Sequence, residues 1–367
     1  MGEALERLDD LGYERRGEGG DLANHGPMGA EALACMGFTD EVAGWVERYK
    51  RASSHYGPPQ PREAIEPRDE SSWRSALGQM GRAGDWEQLF ELQLHEQPWR
   101  AVLIQWWPRL LPGLLASLTH GLIRTAHAVR SVASQDQPSE LHLRELARGL
   151  AFWAARYSGL PGESRMTGSM TVAEAVANLP RVPVDPTDPS DSNQRVGRAR
   201  GAGRRLGRLQ HGENFPGYYA ALGALAPDGA QWLLSQMTST FAGVYLAHPE
   251  APPVPLVHGV TAPAAVRLVL PHLPDGLHAS TIAAMWHVHV GLLLAFTHDG
   301  GTGEGRAVNL PSDAPSAPEL MGTAFEHGDE HVIKFTEACL REHALYPDAR
   351  FSAAAVAAAR RIPIAQR

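Results

Sequence analysis

The apolar residues of this chain recur with the spacing of one helical face. After Asp40, the apolar positions are Val42, Trp45, Val46 and Tyr49, which a helix with 3.6 residues per turn brings to one side. The same periodicity predicts further helices over 86–94, 141–157, 218–226, 230–245, 262–273, 280–297 and 318–343. Alternation typical of a strand occurs only in Leu256 to Val260. The pattern predicts an all-α fold, a multi-helix bundle around a central buried site.

One polar stretch interrupts this pattern. Residues 180–193 (PRVPVDPTDPSDSN) are rich in Pro, Asp and Ser, and residues 195–208 (RVGRARGAGRRLGR) carry six arginines. We expect a mobile polar segment near 180–210 that does not separate two domains, because candidate site residues lie on both sides of it. The prediction is a single α-helical catalytic domain over residues 1–367.

Composition and charge narrow the class of protein. Hydrophobic residues make up 43% and charged residues 20% of the chain, which is typical of a globular protein. The formal net charge of -8 disfavours nucleic acid and anionic membranes as partners. Two cysteines, Cys35 and Cys339, are too few for a disulfide framework and suit a reducing compartment. With no apolar signal core at the N-terminus, we expect a cytoplasmic protein; no oligomeric state is indicated.

The longest apolar run, Thr281 to Thr297, contains two histidines and is short for a bilayer. We therefore interpret it as a buried core helix. The glycine-rich residues 298–305 (HDGGTGEG) follow a helix and lack the spacing of a dinucleotide loop. The arginines of 195–208 have two interpretations, a solvated basic segment or a lid that holds an anionic substrate or the phosphate of NADPH. A requirement for NADPH stays open at this point.

Histidine is the unusual residue of this sequence, with 17 copies. Six lie in segments that resemble apolar helix faces: His25, His120, His127, His258, His327 and His331. The spacing predicts that His327 and His331 share one helix face, as do His331 and Lys334. A single histidine in such a place is more commonly a satisfied core or surface residue. Several together favour a shared metal ion, because each buried unsatisfied nitrogen costs free energy.

Four short segments resemble the motifs of the questin oxidase-like family. They are Asn24-His25, His120-Gly-Leu-Ile-Arg124, His258-Gly-Val-Thr261 and Asp329-Glu-His331-Val-Ile-Lys334, and the resemblance extends from about residue 20 to about residue 345. The resemblance implies an oxygenase, since fungal members of the family are associated with oxidative ring opening of anthraquinones. Two departures bear on the substrate: Gly26 to Gly29 replaces a histidine-rich run, and Arg124 stands where a histidine is expected.

The resulting hypothesis is a metal centre with His25, His120, His258 and His331 as ligands. Imidazole nitrogens suit Fe(II), the metal that we expect, although the spacing does not exclude manganese or zinc. Lys334 would complete the site as a carbamate, because a buried amine with a lowered pKa can take up CO2. The alternative for Lys334 is an ordinary ion pair with Glu330 or Glu337.

Two further side chains are predicted to act on the substrate. His127 would serve as acid or base toward a phenol, and Arg124 would hold a phenolate or a reduced-oxygen intermediate. Trp286 would stack on a flat aromatic ring. The leading hypothesis is an oxidoreductase, a metal-dependent oxygenase that uses O2 and a polycyclic aromatic polyketide of secondary metabolism. The alternatives are a flavin- or NADPH-dependent Baeyer–Villiger monooxygenase and a non-catalytic helical ligand-binding protein.

Overall fold

Helices account for most of the molecule. A computed structural model describes residues 1–17, 20–181, 204–213, 215–298, 304 and 315–364, and 67% of the structure is helical. The predicted all-α class is confirmed. In chain order the helices are α1 (Gly2–Leu8), α2 (Gly26–Cys35), α3 (Val42–Ala52), α4 (Glu70–Ala76), α5 (Ala83–Glu96), α6 (Trp99–Leu110), α7 (His120–Ala133), α8 (Glu140–Ala155), α9 (Val172–Asn178), α10 (204–210), α11 (Tyr218–Leu222), α12 (Ala230–Ala247), α13 (Pro253–Val269), α14 (His278–Phe296), α15 (Ala317–His327), α16 (Glu330–Leu345) and α17 (Ala349–Arg361).

The described strands form one small hairpin. β1 (Glu14–Gly17) pairs with β2 (Gly20–Ala23) in antiparallel register, with Arg15 opposite Leu22. Four residues per strand are too few to produce a recognisable alternation. The strand predicted over Leu256 to Val260 is wrong, because these residues lie inside α13. Their apolar character reflects burial on all sides of a core helix, which periodicity alone does not distinguish from a buried strand.

α7 occupies the centre of the packing. It contacts α8, α13 and α2, and α16 in turn contacts α2 and α13. Glycines permit two close approaches: a Cβ on Gly121 would lie 2.6 Å from Trp153 Cα, and a Cβ on Gly259 would collide with the Phe241 ring. The glycines after His120 and His258 therefore make room for neighbouring helices.

The helix predicted over 318–343 is divided in two. Gly328 ends α15 in the left-handed conformation at φ 77°, and Asp329 caps α16 by accepting hydrogen bonds from the backbone N–H of His331 and Val332. The prediction that His327 and His331 share a helix face is therefore wrong. His331 and Lys334 do lie on one helix, α16.

Both sides of the polar stretch contribute to one packed body. The expected mobile segment lies mainly in residues 182–203, outside the described residues, whereas 204–210 are helical. α2 and α7 precede the segment and pack against α16 and α13, which follow it. Helices from the two halves are thus adjacent at the predicted site.

Two stretches of the described chain, Pro253–His272 and Asp275–Phe296, are long and apolar enough to cross a membrane by length and composition. In each, 78% of the most apolar window is buried inside the fold. Core helices have the same character, so this finding is weak support for a membrane span.

Candidate metal centre

Three of the predicted ligands meet at helix N-termini. His25 precedes the first residue of α2, His120 begins α7, and His331 is the second residue of α16. One ring nitrogen of each lies within 4.8 Å of one from both others. Side chains in the first turn of a helix lean toward its N-terminus, which is why residues from three different helices can converge at this point.

His25 and His120 face each other through their Nε2 atoms, which are 2.7 Å apart. Each ring donates its Nδ1–H to a backbone carbonyl, of Ala23 at 2.7 Å and of Ser117 at 2.5 Å. A carbonyl oxygen only accepts, so neutral rings present two Nε2 lone pairs to each other. A cation between them removes this repulsion. Neighbouring imidazole nitrogens on a metal ion lie about 3 Å apart, given metal–nitrogen bonds of about 2.0–2.1 Å.

His331 and His258 complete the predicted set from two other directions. His331 Nδ1 lies 3.2 Å from Asp329 Oδ1, which leaves its Nε2 for a ligand. His258 lies on α13, with its ring centroid 4.5 Å from that of His120. Its Nδ1 hydrogen bonds to Thr119 Oγ1 at 3.0 Å, and its Nε2 is buried without a partner among the described residues. All four rings thus have an anchored Nδ1 and an Nε2 available to a metal.

A left-handed turn supports two of these rings. Ser117, Leu118 and Thr119 have φ values of 48°, 54° and 68°, a conformation that costs non-glycine residues about 1–2 kcal/mol each. The turn directs the Ser117 carbonyl at His120 and the Thr119 hydroxyl at His258. Consecutive strained residues persist only where the surrounding structure enforces them, and such strain is concentrated at functional sites.

Lys334 lies beside the cluster, 3% exposed. Its Nζ contacts Met28 Sδ at 4.0 Å, and no carboxylate oxygen of the described residues lies within 4.0 Å of it. The ordinary ion pair with Glu330 or Glu337 is therefore not formed. Burial lowers the pKa of Lys334 to about 8, although Glu330 and Asp329 partly offset the effect.

The imidazoles of His25, His120 and His258 are held neutral. Burial lowers the pKa of His25 and His120 well below the ordinary value, and the charge of Lys334 lowers it further. Burial also lowers the pKa of His258, with a contribution from His120. Neutral imidazole is the form that binds metals, so the environment that disfavours protons on these rings leaves their lone pairs available to a cation.

Arg124 and His127 are placed away from the converging nitrogens. Arg124 forms a bidentate ion pair with Glu145 at 2.7 and 2.8 Å, and its Nη1 is buried without a partner among the described residues. His127 Nδ1 lies 2.6 Å from Glu31 Oε2. Seven residues separate His127 from His120, which is about 10 Å along a helix axis. The two side chains therefore contact carboxylates of neighbouring helices.

Other side chains singled out in the sequence have structural contacts. Trp286 is fully buried and donates its indole N–H to the Ala221 carbonyl, so it lies in the core and presents no open stacking surface. His289 stacks on Phe241 and bonds the Gly259 carbonyl. His327 bonds the Ile362 carbonyl. Two supporting residues were not predicted from the sequence: Asp329, which contacts His331, and Thr119, which contacts His258. Each lies within two positions of a predicted ligand.

A cleft of about 530 Å³ approaches the cluster from outside. Its walls include Trp45, Tyr49 and Phe325, and Arg15 and Glu330 lie in its lining. Arg15 Nη2 and Glu330 Oε1 are 2.5 Å apart, and the same carboxylate lies 3.8 Å from His25 Nδ1. Glu330 therefore both lines the cleft and lies next to the His25 ring.

Comparison of the sequence with protein-family models gives no match, and comparison with curated proteins gives no significant match. The class that fold and site define is an all-α protein with a buried histidine cluster suited to a metal ion.

Proposed function

We propose that this protein is a metal-dependent oxygenase with a non-heme Fe(II) centre, and that it belongs with the questin oxidase-like proteins that its motifs resemble. Its substrate would be a polycyclic aromatic polyketide such as an anthraquinone, with O2 as co-substrate. The observation that carries the proposal is the convergence of His25, His120 and His331, with His258 adjacent. Each ring has an anchored Nδ1, the Nε2 atoms of His25 and His120 face each other, and that of His258 has no partner among the described residues. Unpaired buried nitrogens are costly, and a shared cation satisfies them together.

The four histidines would hold Fe(II), which when bound supplies the redox chemistry that O2 requires. Neutral imidazoles leave the charge of a dication uncompensated, and the helix N-termini at this point add partial positive charge. Lys334, buried without a carboxylate partner, would supply the missing anion as a carbamate. Its lowered pKa favours the neutral amine that reacts with CO2.

His127 and Arg124 retain the substrate roles proposed from the sequence, through specific atoms. His127 donates its Nδ1–H to Glu31, so a proton would be taken up at Nε2; burial lowers the pKa of His127, which keeps the ring neutral. Arg124 uses Nε and Nη2 for Glu145, so a phenolate would be bound by Nη1.

Metal analysis with oxygen-consumption measurements tests the proposal. We expect about one iron per chain after anaerobic reconstitution with Fe(II), and O2 uptake on addition of an anthraquinone. Assays with and without NADPH decide whether that cofactor is needed. A protein that binds no transition metal after reconstitution would contradict the proposal, and a yellow metal-free protein would favour the flavin alternative.

Single alanine variants of His25, His120, His258 and His331 should lose bound iron and turnover but retain the helical circular-dichroism spectrum. His95→Ala is the matched control, because His95 is exposed at the end of α5. Four variants with full metal content and activity would exclude this set of ligands.

Lys334 is tested separately. Lys334→Arg keeps the positive charge but cannot form a carbamate, so we expect it to be inactive, whereas added acetate should partly restore Lys334→Ala. Incubation with ¹³C-labelled bicarbonate should produce a protein-bound carbamate signal that is missing in Lys334→Arg. An active Lys334→Arg enzyme would eliminate the carbamate and leave the histidine ligands in place.

A further inference from the structure

The helices that hold the converging histidines are joined a second time, further along each helix. Glu31 lies six residues after His25 on α2, and Glu337 lies six residues after His331 on α16. This spacing places both carboxylates about 9 Å from the histidines along their helices. Between them is Arg130 of α7, the helix that begins with His120.

Arg130 bonds both carboxylates at once. Its Nε and Nη2 donate to Glu31 at 2.6 and 2.5 Å, and its Nη1 donates to Glu337 at 2.6 Å. Together with the bond from His127 to Glu31, these contacts form an ion-pair bridge, defined here as Glu31, His127, Arg130 and Glu337. The bridge links α2, α7 and α16, the helices whose N-termini carry His25, His120 and His331.

The bridge is buried and charged. The side chains of Glu31 and Glu337 are 4% and 6% exposed, and that of Arg130 is 18% exposed. Burial alone would raise the pKa of Glu31, but Arg130 and His127 hold it well below its ordinary value. Guanidinium is planar and rigid, so one bidentate contact to Glu31 and one hydrogen bond to Glu337 constrain the relative positions of three helices.

We infer that Arg130 is a positioning residue for cation binding: by joining Glu31 to Glu337, it sets the spacing of the three helix ends at which His25, His120 and His331 meet. The inference rests on the proposed metal centre. A metal site tolerates displacements of only a few tenths of an ångström in its ligands. Loosening the bridge should therefore weaken metal binding even though none of its members contacts the metal.

Titration with Co(II), followed by the visible absorption of the bound ion, tests the inference without an activity assay. We expect Arg130→Met to bind Co(II) at least tenfold more weakly than the native chain and with an altered visible spectrum. Arg130→Lys keeps the positive charge but cannot bond Glu31 and Glu337 with a planar guanidinium, so it should bind Co(II) with intermediate affinity. Because Arg130→Met could fail to fold, Glu337→Gln serves as a milder second variant with the same expected direction.

Arg148→Met is the matched control. Arg148 forms a buried ion pair with Glu87 at 2.9 Å, between α8 and α5, and neither helix carries a histidine of the cluster. This variant should lose stability but bind Co(II) within twofold of the native affinity. If Arg130→Met and Glu337→Gln fold and bind Co(II) with native affinity, the inference is wrong but the proposed metal centre stands. The same holds if Arg148→Met loses as much Co(II) affinity as they do. If the native chain binds no Co(II), the proposed metal centre fails, and the inference fails with it.

Discussion

The histidine cluster and the ion-pair bridge both involve α2, α7 and α16, but their polar groups differ in whether they have partners. In the bridge, Glu31 and Glu337 each meet Arg130 within 2.6 Å. In the cluster, the Nε2 atoms of His25 and His120 meet only each other, and that of His258 meets nothing among the described residues.

The difference distinguishes polar groups that find their partners within the fold from polar groups that, in our proposal, are completed by a metal ion. The folded protein is strongly destabilised when a buried, fully hydrogen-bonded ion pair loses one of its partners. Lone pairs that face each other contribute nothing to stability, so their arrangement points to a bound species. Mutations in the two regions should therefore differ in how much they destabilise the metal-free protein.

The largest loss of stability should come from the bridge. Glu337 pairs with both Arg130 and Arg341, at 2.6 and 3.0 Å. Glu337→Gln removes the charge that both arginines share, so we expect a cost of about 3–5 kcal/mol in the free energy of unfolding at neutral pH. Urea denaturation measures it. Glu6→Gln, the same change at an exposed position of α1, should stay within about 0.5 kcal/mol. If Glu337→Gln and Glu6→Gln lowered the unfolding free energy equally, the bridge would contribute no more to stability than an exposed carboxylate.

The stability lost in Glu337→Gln should depend on pH, which sharpens the comparison between the bridge and the cluster. Burial would raise the pKa of Glu337, but Arg341 and Arg130 outweigh it and lower the pKa from 4.5 to about 2. A carboxyl with a lower pKa in the folded state adds stability above its unfolded pKa and loses it as the pH falls through the folded value. The difference between the native chain and Glu337→Gln should thus be largest near neutral pH and shrink below about pH 4.5. A difference that grows on acidification would contradict this sign.

The cluster should tolerate apolar replacement in metal-free protein. His258→Leu combined with Thr119→Val replaces both partners of one buried hydrogen bond and removes an unpaired nitrogen. We expect the unfolding free energy of the metal-free double variant to stay within about 1 kcal/mol of the native chain, because replacing both partners with apolar groups is nearly neutral. Metal binding should be lost at the same time. Destabilisation as large as that of Glu337→Gln would mean that the cluster is itself a structural element.

The smallest effect concerns the left-handed turn. Ser117→Gly removes a strained φ of 48° worth about 1–2 kcal/mol, offset in part by the greater entropy of glycine in the unfolded chain, about 0.4–1 kcal/mol. We expect a net gain of about 0.5–1 kcal/mol from these terms, with the carbonyl that supports His120 retained. Ser239→Gly, inside α12, should have the opposite sign. Destabilisation by Ser117→Gly would mean that the Ser117 side chain contributes more than the strain costs.

The sequence by itself determined the fold class and the candidate ligands. Helical periodicity is a local property, so the positions of Val42 to Tyr49 were enough to predict α3. Histidines in apolar helices were visible in the same way, and the structure brings His25, His120 and His331 together, with His258 beside them.

The tertiary structure decided what depends on distance between remote residues. The break at Gly328 separates His327 from His331, which spacing alone had placed on one helix face. His127 lies two helical turns beyond His120, and its Nδ1 contacts Glu31. Arg130 joins Glu31 to Glu337 across 99 and 207 positions of the chain. No local pattern records such contacts, because pairing between helices is set by how their side chains pack, which the order of residues along one helix does not specify.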